Sequence, residues 1–336
     1  MKRFLTLIVL ATTIFQTMAY TKHTLAFKQH GSKILYLDHY ASDSNERANE
    51  RGLRPCVIFL FGGGFATGTR DRDWYIPFFE RMCKEGCDVV SIDYRLGLAP
   101  LAKVEPEKRE NMGLRNAIET MTRAVEYATE DALHATSFVL KNAERWGIDT
   151  SRIIISGSSA GAIASLQAEY SICNSAECTK VLPEGFNFGG VISFAGAIYS
   201  TTGAPKWLSK PCPILFFHGT ADGNVPYDKA SIFGIGMFGP AHITKDLKRM
   251  ESPYIFHSST HRTHDIAVTP MYDNVAVILD FIDTVVSGRK PLQRLSEEHD
   301  LSIEPAPHRF SVREYLTNNY GSKEEDDKEK KDKKRK

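Results

Sequence analysis

The chain has 336 residues, of which 42% are apolar and 25% charged, and its formal net charge at neutral pH is +1. This balance is typical of a folded globular protein and argues against disorder, a bundle of membrane helices and a nucleic-acid-binding protein. The length accommodates one large α/β domain or two smaller ones.

The first 19 residues have the pattern of a secretory signal peptide. Lys2 and Arg3 supply positive charge, Phe4–Phe15 is an apolar run, and Thr17–Ala19 offers small residues before a cleavage at Tyr20. The run is too short to span a bilayer comfortably. An uncleaved anchor or a buried strand is the alternative interpretation. We expect a secreted or periplasmic protein with no stable membrane span after cleavage.

Buried strands and amphipathic helices then alternate along the chain. The continuous apolar runs predict strands that are buried on both faces, and apolar residues at helical spacing predict helices. Residues 102–128 have no clear pattern and are interpreted either as a helical lead-in or as part of a cap. The predicted elements up to that segment are a hairpin of Thr24–Phe27 and Lys33–Leu37, strand Cys56–Phe61, helix Trp74–Lys84 and strand Val89–Ile92.

The same alternation continues in the second half. It predicts a mainly parallel sheet with helices on both faces, in one domain over 20–315 with small cap or lid insertions. An apolar, glycine-rich insertion at 232–239 fits a mobile lid or a surface loop, and the charged residues 322–336 predict a disordered tail. The elements are helix Asp131–Trp146, strand Arg152–Ile155, helix Ser159–Tyr170, strands Val191–Phe194, Ile214–Phe217 and Tyr254–Phe256, and helix Tyr272–Val286.

Six cysteines are present, and export would place them in an oxidising compartment. Cys173 and Cys178 flank a short polar stretch that suits a small disulfide loop. No cluster of histidine and cysteine has zinc-site spacing, so we predict no metal site.

The strongest chemical signal is Gly157-Ser158-Ser159-Ala160-Gly161, which matches the G-x-S-x-G nucleophile elbow. It follows a predicted strand and precedes a predicted helix. Such a tight turn needs small neighbours two positions before and after the nucleophile, and glycine stands at both. The pattern predicts Ser159 as a nucleophile; a serine- and glycine-rich turn without catalytic meaning is the alternative.

A run of glycines follows strand Cys56–Phe61. Glycines allow backbone N–H groups to approach a developing oxyanion, where each donor is worth roughly 3–4 kcal/mol. We predict Gly63 and Gly64 as oxyanion donors together with the N–H of Ala160. A flexible loop and a phosphate-binding turn are the alternatives, the latter disfavoured because no P-loop lysine follows.

These motifs resemble the esterase/lipase branch of the α/β-hydrolases that carries an H-G-G-G oxyanion motif. The resemblance covers about residues 53–286 and includes Asp93-Tyr94-Arg95-Leu96, similar to a D-Y-R-L segment whose aspartate and arginine brace the oxyanion loop in that branch. Phe61 stands where the branch has histidine, which puts the loop geometry in question. The resemblance implies the α/β-hydrolase fold and a Ser-Asp-His order along the chain.

That order directs attention to two later segments. His218-Gly219-Thr220-Ala221-Asp222-Gly223-Asn224-Val225-Pro226 resembles the turn in which the aspartate orients the catalytic histidine, so we predict Asp222 as the acid and His218 as a structural partner. Thr263-His264-Asp265 stands in the expected histidine loop. We predict His264 as the base, with His261 and His257 as rivals.

The predicted function is therefore hydrolysis of carboxylic esters through a Ser-His-Asp triad, without a metal or organic cofactor. The expected substrates are short acyl or aryl esters, including carbohydrate-linked ones. A peptidase or amidase of the same fold is one alternative. A non-catalytic binding protein is another, and Phe61 is the feature that favours it. No nucleic-acid partner is expected.

Overall fold

The computed structural model describes residues 20–104 and 113–306. The predicted signal peptide over 1–19, the charged tail over 322–336 and the last predicted domain residues, 307–315, lie outside these ranges. None of the helices within them is long and apolar enough to cross a membrane.

Nine strands form one twisted sheet in the order β1-β2-β4-β3-β5-β6-β8-β11-β12. Strands β1 and β2 are antiparallel to their neighbours, and all pairs from β4 to β12 are parallel. The mainly parallel sheet agrees with the prediction. Its strands are β1 (Tyr20–His30), β2 (Lys33–Ser42), β3 (Arg54–Leu60), β4 (Asp88–Ile92), β5 (Ile148–Ser158), β6 (Gly190–Phe194), β8 (Ile214–Gly219), β11 (Tyr254–Ser259) and β12 (Gln293–Glu298).

Helices cover this sheet and bury its central strands. Strands β4, β6 and β8 are buried along their whole length, which is why they appear in the sequence as continuous apolar runs. The helices are α1 (Ile76–Lys84), α2 (Ala99–Ala102), α3 (Leu114–Trp146), α4 (Ala160–Cys173), α5 (Pro240–Arg249), α6 (Pro270–Asp273) and α7 (Val275–Asp280), with 3₁₀ turns at Glu177–Val181 and His264–Ala267 and a π-helix at Phe281–Ser287.

The segment 102–128, whose pattern was ambiguous, contributes most of its length to α3. This helix has 33 residues and ends at Gly147, which adopts the left-handed conformation with φ of 67°. None of its residues over 115–123 is buried, and Ala124, Val125 and Ala128 are the first to enter the core. The first half therefore lacked the periodicity that would have revealed it.

The glycine-rich insertion at 232–239 contains regular strand structure. Strands β9 (Lys229–Ile232) and β10 (Ile235–Phe238) form a hairpin, and β10 also pairs with β7 (Ile198–Ser200). The two-residue connection, Phe233 and Gly234, has positive φ at both positions, as a type I′ turn requires.

All six cysteines are free, so the expected Cys173–Cys178 loop is not closed. Cys173 ends α4 and turns into the protein, where its thiol donates to Glu169 Oε1 at 3.4 Å. Cys178 lies in the following 3₁₀ turn and is partly exposed. The helical geometry of the two segments therefore directs the thiols to different surroundings.

Candidate active site

A strained turn joins β5 to α4 and carries Ser159. Its φ of 53° and ψ of −117° are unusual for a residue with a side chain. A Cβ on Gly157 would lie 2.3 Å from the carbonyl carbon of Gly161, and a Cβ on Gly161 would lie 2.1 Å from the carbonyl oxygen of Leu60. Glycine at both positions is thus a steric requirement of this turn, as its sequence pattern predicted.

Two hydrogen bonds fix the turn. The N–H of Ser159 donates to the carbonyl of Phe194 at the end of β6 (2.8 Å), and the carbonyl of Ser159 accepts from Ile163 N–H in the first turn of α4 (2.9 Å). The Ser159 side chain is therefore held at the carboxyl-end edge of the sheet. Active sites of open α/β sheets are commonly found at this edge.

A hydrogen-bonded relay connects Ser159, His264 and Asp222. The distance from Ser159 Oγ to His264 Nε2 is 2.8 Å, and the distance from His264 Nδ1 to Asp222 Oδ2 is also 2.8 Å. The three residues are supplied by the β5–α4 turn, the segment after β11 and the segment after β8. The structure thus brings together all three side chains that the sequence predicted to meet.

Asp222 is held by its own turn. Its Oδ1 accepts from the N–H groups of Asn224 (2.8 Å) and Val225 (2.9 Å), and the residue is only 3% exposed. Burial opposes ionisation of this carboxyl, but His264 and the accepted hydrogen bonds outweigh it, and the pKa of Asp222 lies below its usual value. A charged carboxylate therefore faces His264 Nδ1 at neutral pH.

The other histidines occupy different places. His218 is fully buried, and its Nε2 donates to the carbonyl of Val225 (3.0 Å) while lying 3.5 Å from Asp222 Oδ2. Burial lowers the pKa of His218, which favours the neutral ring. The ring of His257 stacks on Phe217 with centroids 5.3 Å apart, and the ring of His261 faces His299 at 5.4 Å.

The glycine run lies against the serine turn. A Cβ on Gly62 would lie 3.0 Å from Ser158 Oγ and 3.3 Å from Ser159 Cβ. Gly63 and Gly64 have φ of 137° and 60°. Such values are unfavourable for residues with a side chain, which explains the glycines.

Each backbone N–H of the glycine run has a different environment. Gly62 N–H donates to the hydroxyl of Tyr75 at 3.0 Å. The structure shows no acceptor among the described residues for the N–H groups of Gly63, Gly64 and Ala160. Ala160 is the first residue of α4, where N–H groups have no partner within the helix. These three donors are therefore available to a ligand.

Comparisons with known proteins find similarity to esterases. The carboxylesterase family model matches residues 9–171. Juvenile hormone esterase of Heliothis virescens is 34% identical over 113 residues, which are 33% of this chain and 17% of that esterase. Apo esterase 2 of Thermogutta terrifontis has 21% sequence identity and a TM-score of 0.54, covering 81% of this chain and 96% of its own. The tabun-phosphoramylated form has a TM-score of 0.55 at 20% identity, with the same coverage.

The chain has the α/β-hydrolase fold, and the carboxylesterase family model matches just under half of its residues. The likeness to the solved structures establishes the fold. The chain aligns with only about a sixth of the length of the insect esterase.

In this α/β-hydrolase, tyrosines support the glycine run in a way that the sequence did not reveal. Tyr94 stacks on Phe61 with centroids 4.4 Å apart, and its hydroxyl donates to the carbonyl of Phe61 at 2.7 Å. Tyr75 holds Gly62 as described above. Phe61, which stands where the family motif has histidine, therefore contributes to this loop by packing its ring. The Asp93-Tyr94-Arg95-Leu96 motif pointed to this region, but nothing in the sequence indicated that its tyrosine makes the contact.

The expectation that Arg95 braces the oxyanion loop is wrong. Its guanidinium pairs with the buried Asp131 of α3 (2.8 Å) and with Glu130 (2.6 Å). A buried carboxylate needs a cation close to it, and α3 presents Asp131 directly behind this strand end. Asp93 does reach the segment after the glycine run, because its Oδ2 accepts from Arg70 at 2.9 Å.

Within the described residues, no three His, Cys, Asp or Glu side chains are placed to hold a metal ion together.

Proposed function

We propose that the protein hydrolyses carboxylic esters through an acyl intermediate on Ser159. The observation that carries this proposal is the relay with two distances of 2.8 Å that ends at a serine held in a strained turn. The match of residues 9–171 to the carboxylesterase family model supports the reaction type.

The geometry assigns a role to each member of the relay. Because Asp222 is ionised, it favours the tautomer of His264 that carries a proton on Nδ1 and leaves the Nε2 lone pair free. His264 Nε2 then accepts the proton of Ser159 Oγ as this oxygen bonds to the ester carbonyl carbon. The imidazolium next donates that proton to the leaving alkoxide, and the Ser159 acyl ester remains.

Water completes the cycle on the same groups. His264 takes a proton from water, the resulting hydroxide attacks the acyl carbon, and the proton returns to Ser159 Oγ as the carboxylic acid leaves. In both steps negative charge develops on the carbonyl oxygen. We assign its stabilisation to the N–H groups of Gly63, Gly64 and Ala160, which have no other acceptor among the described residues.

Small-molecule esters with short acyl groups are the proposed substrates. Esterase 2 of Thermogutta terrifontis, which shares the fold, has been captured with bound propionate and bound butyrate. Its reaction with sarin gives a phosphonylated protein. A similar reaction of this chain at Ser159 would follow from the proposed chemistry.

Export remains a proposal that rests on the pattern of residues 1–19. Cleavage before Tyr20 would leave the mature chain starting at the first residue of β1. N-terminal sequencing of protein recovered from outside the cytoplasm, compared with protein recovered from inside it, tests this directly.

The test of the reaction compares the mature wild-type protein with Ser159→Ala. We expect wild type to react with a fluorophosphonate and to hydrolyse 4-nitrophenyl acetate and butyrate. We expect the variant to lose labelling and to lose about 10⁴-fold or more of kcat/KM while remaining folded by circular dichroism. An unlabelled wild type would favour a non-catalytic binding protein. Faster cleavage of the matching 4-nitroanilides would favour an amidase.

A further inference from the structure

Two aromatic rings stand half exposed beside the site. Trp74 is 45% exposed and Tyr272 is 47% exposed. Three other aromatic side chains are instead buried by packing: Phe65, Tyr199 and Phe238. Trp74 and Tyr272 therefore differ from them in having ring surface available to a ligand.

Both rings belong to segments that carry the site. Trp74 immediately precedes Tyr75, whose hydroxyl holds Gly62 against the Ser159 turn. Tyr272 lies in α6, which closely follows the 3₁₀ turn that begins at His264. Trp74 thus lies on the segment that supports the glycine run, and Tyr272 lies on the segment that carries His264.

A direct hydrogen bond joins these two sides, because the hydroxyl of Tyr272 donates to the carbonyl of Trp74. Helices α1 and α6 also pack together. The segments that carry the two aromatic residues are therefore joined directly to each other.

The indole of Trp74 is contacted by two neighbouring side chains. The Arg72 guanidinium lies over it, 4.6 Å from a ring centroid, and the ring of Tyr75 meets its edge at 5.9 Å. A rigid ring that keeps an exposed surface loses little conformational entropy when a planar group stacks on it.

We propose that Trp74 and Tyr272 form a subsite for a planar aromatic group in the alcohol part of the ester. This inference rests on the proposed ester hydrolysis. His264 must deliver its proton to the leaving oxygen, so the alcohol part lies on the histidine side of Ser159. Tyr272 follows His264 along the chain, and its hydroxyl ties the segment of Trp74 to that side.

The test compares benzyl acetate with cyclohexylmethyl acetate. The two esters share the acyl group and release primary alcohols of similar size, but only one carries a flat aromatic ring. In Trp74→Leu we expect KM to rise about five- to tenfold for benzyl acetate and less than twofold for cyclohexylmethyl acetate, as expected for a lost stacking contact. Equal changes for the two esters would overturn the subsite.

Trp207→Leu is the matched control. This tryptophan packs on Tyr170, in the part of α4 far from Ser159, with ring centroids 5.1 Å apart. We expect it to leave the KM ratio of the two esters unchanged. A shift of that ratio equal to the shift in Trp74→Leu would also count against the subsite.

A binding measurement separates this inference from the proposed reaction. Ser159→Ala is titrated with benzyl acetate while tryptophan fluorescence is recorded, with Ser159→Ala/Trp74→Leu as the reference. A saturable change that disappears in the double variant supports the subsite even if wild type hydrolyses no ester. Saturable hydrolysis of benzyl acetate by wild type, without a Trp74-dependent fluorescence change, supports the reaction and rejects the subsite.

Discussion

Two histidine–aspartate pairs lie at opposite ends of the parallel strands of the same sheet, and the N···O distances within the two pairs are equal. His264 Nδ1 lies 2.8 Å from Asp222 at the carboxyl-end edge, and His39 Nε2 lies 2.8 Å from Asp88 at the amino-end edge. Beyond this distance the two pairs have little in common. A short hydrogen bond between imidazole and carboxylate is therefore not what distinguishes a catalytic arrangement.

The pair of His39 and Asp88 is buried. His39 is 2% exposed and stacks on Trp146 with ring centroids 4.2 Å apart. The second oxygen of Asp88 accepts from Arg54 Nε at 2.7 Å. No hydroxyl meets the remaining nitrogen of His39, which has no hydrogen-bond partner among the described residues. This pair has the features of a buried structural hydrogen bond.

The carboxyl-end pair is open on one side. The His264 side chain is 23% exposed, and its second nitrogen meets Ser159 Oγ. Asp222 is held by backbone N–H groups of its own turn, and among the described residues its ion-pair contacts are with histidines and not with an arginine. Access and a positioned nucleophile distinguish the two pairs, and each can be removed experimentally.

The largest expected effect comes from replacing the two histidines. His264→Ala should lower kcat/KM for 4-nitrophenyl acetate by about 10⁴-fold or more, because the proton acceptor of Ser159 is lost. Thermal melting should change little, since the side chain is partly exposed.

His39→Ala should show the opposite behaviour. It leaves Asp88 without one of its partners and should destabilise the fold by about 3 kcal/mol, with kcat of the folded fraction retained. Melting curves and initial rates measured on the same samples check both variants. A large loss of kcat in His39→Ala would remove the distinction between the pairs.

The next effect concerns the two aspartates. Asp222→Asn should lower kcat by about 10³- to 10⁴-fold, because the amide cannot stabilise the imidazolium of His264. Asp88→Asn should destabilise the protein while leaving kcat of the folded fraction within about threefold of wild type, as expected for a buried pair remote from the reaction.

The pH dependence of stability gives Asp222 a second signature. Its folded-state pKa is lowered, so its carboxylate stabilises the fold above the unfolded-state pKa of about 3.9, and this contribution is lost as pH falls through the folded-state pKa. The stability difference between wild type and Asp222→Asn should therefore shrink on the acid side. Denaturant unfolding between about pH 3 and pH 7 measures it. A difference that grows towards low pH would contradict the proposed charge state.

The smallest expected effect lies in the glycine run. Tyr75→Phe removes the hydroxyl that holds Gly62 N–H, and we expect kcat to fall about tenfold with KM nearly unchanged, the size of one lost hydrogen bond. Tyr40→Phe is the control, because its buried hydroxyl has no hydrogen-bond partner among the described residues. Equal losses in both variants would show that the effect is a general one of tyrosine removal.

The sequence by itself determined the architecture and the identity of the relay. Continuous apolar runs revealed the buried parallel strands, because burial on both faces leaves no polar positions. Gly157 and Gly161 revealed the turn around Ser159, because no residue with a Cβ fits there. The sequence did not reveal edge strand β12, because its residues are mostly exposed. It did not reveal β9 and β10 because each has only four residues.

Only the tertiary structure decided which partners surround the relay. The contact of Tyr75 with Gly62, the packing of Tyr94 on Phe61, the pairing of Arg95 with Asp131 and the bond from Tyr272 to Trp74 all join residues far apart in the chain. Such contacts depend on how helices are oriented over the sheet. A local pattern encodes which face of an element is apolar, but it carries no information on which distant side chain that face will meet.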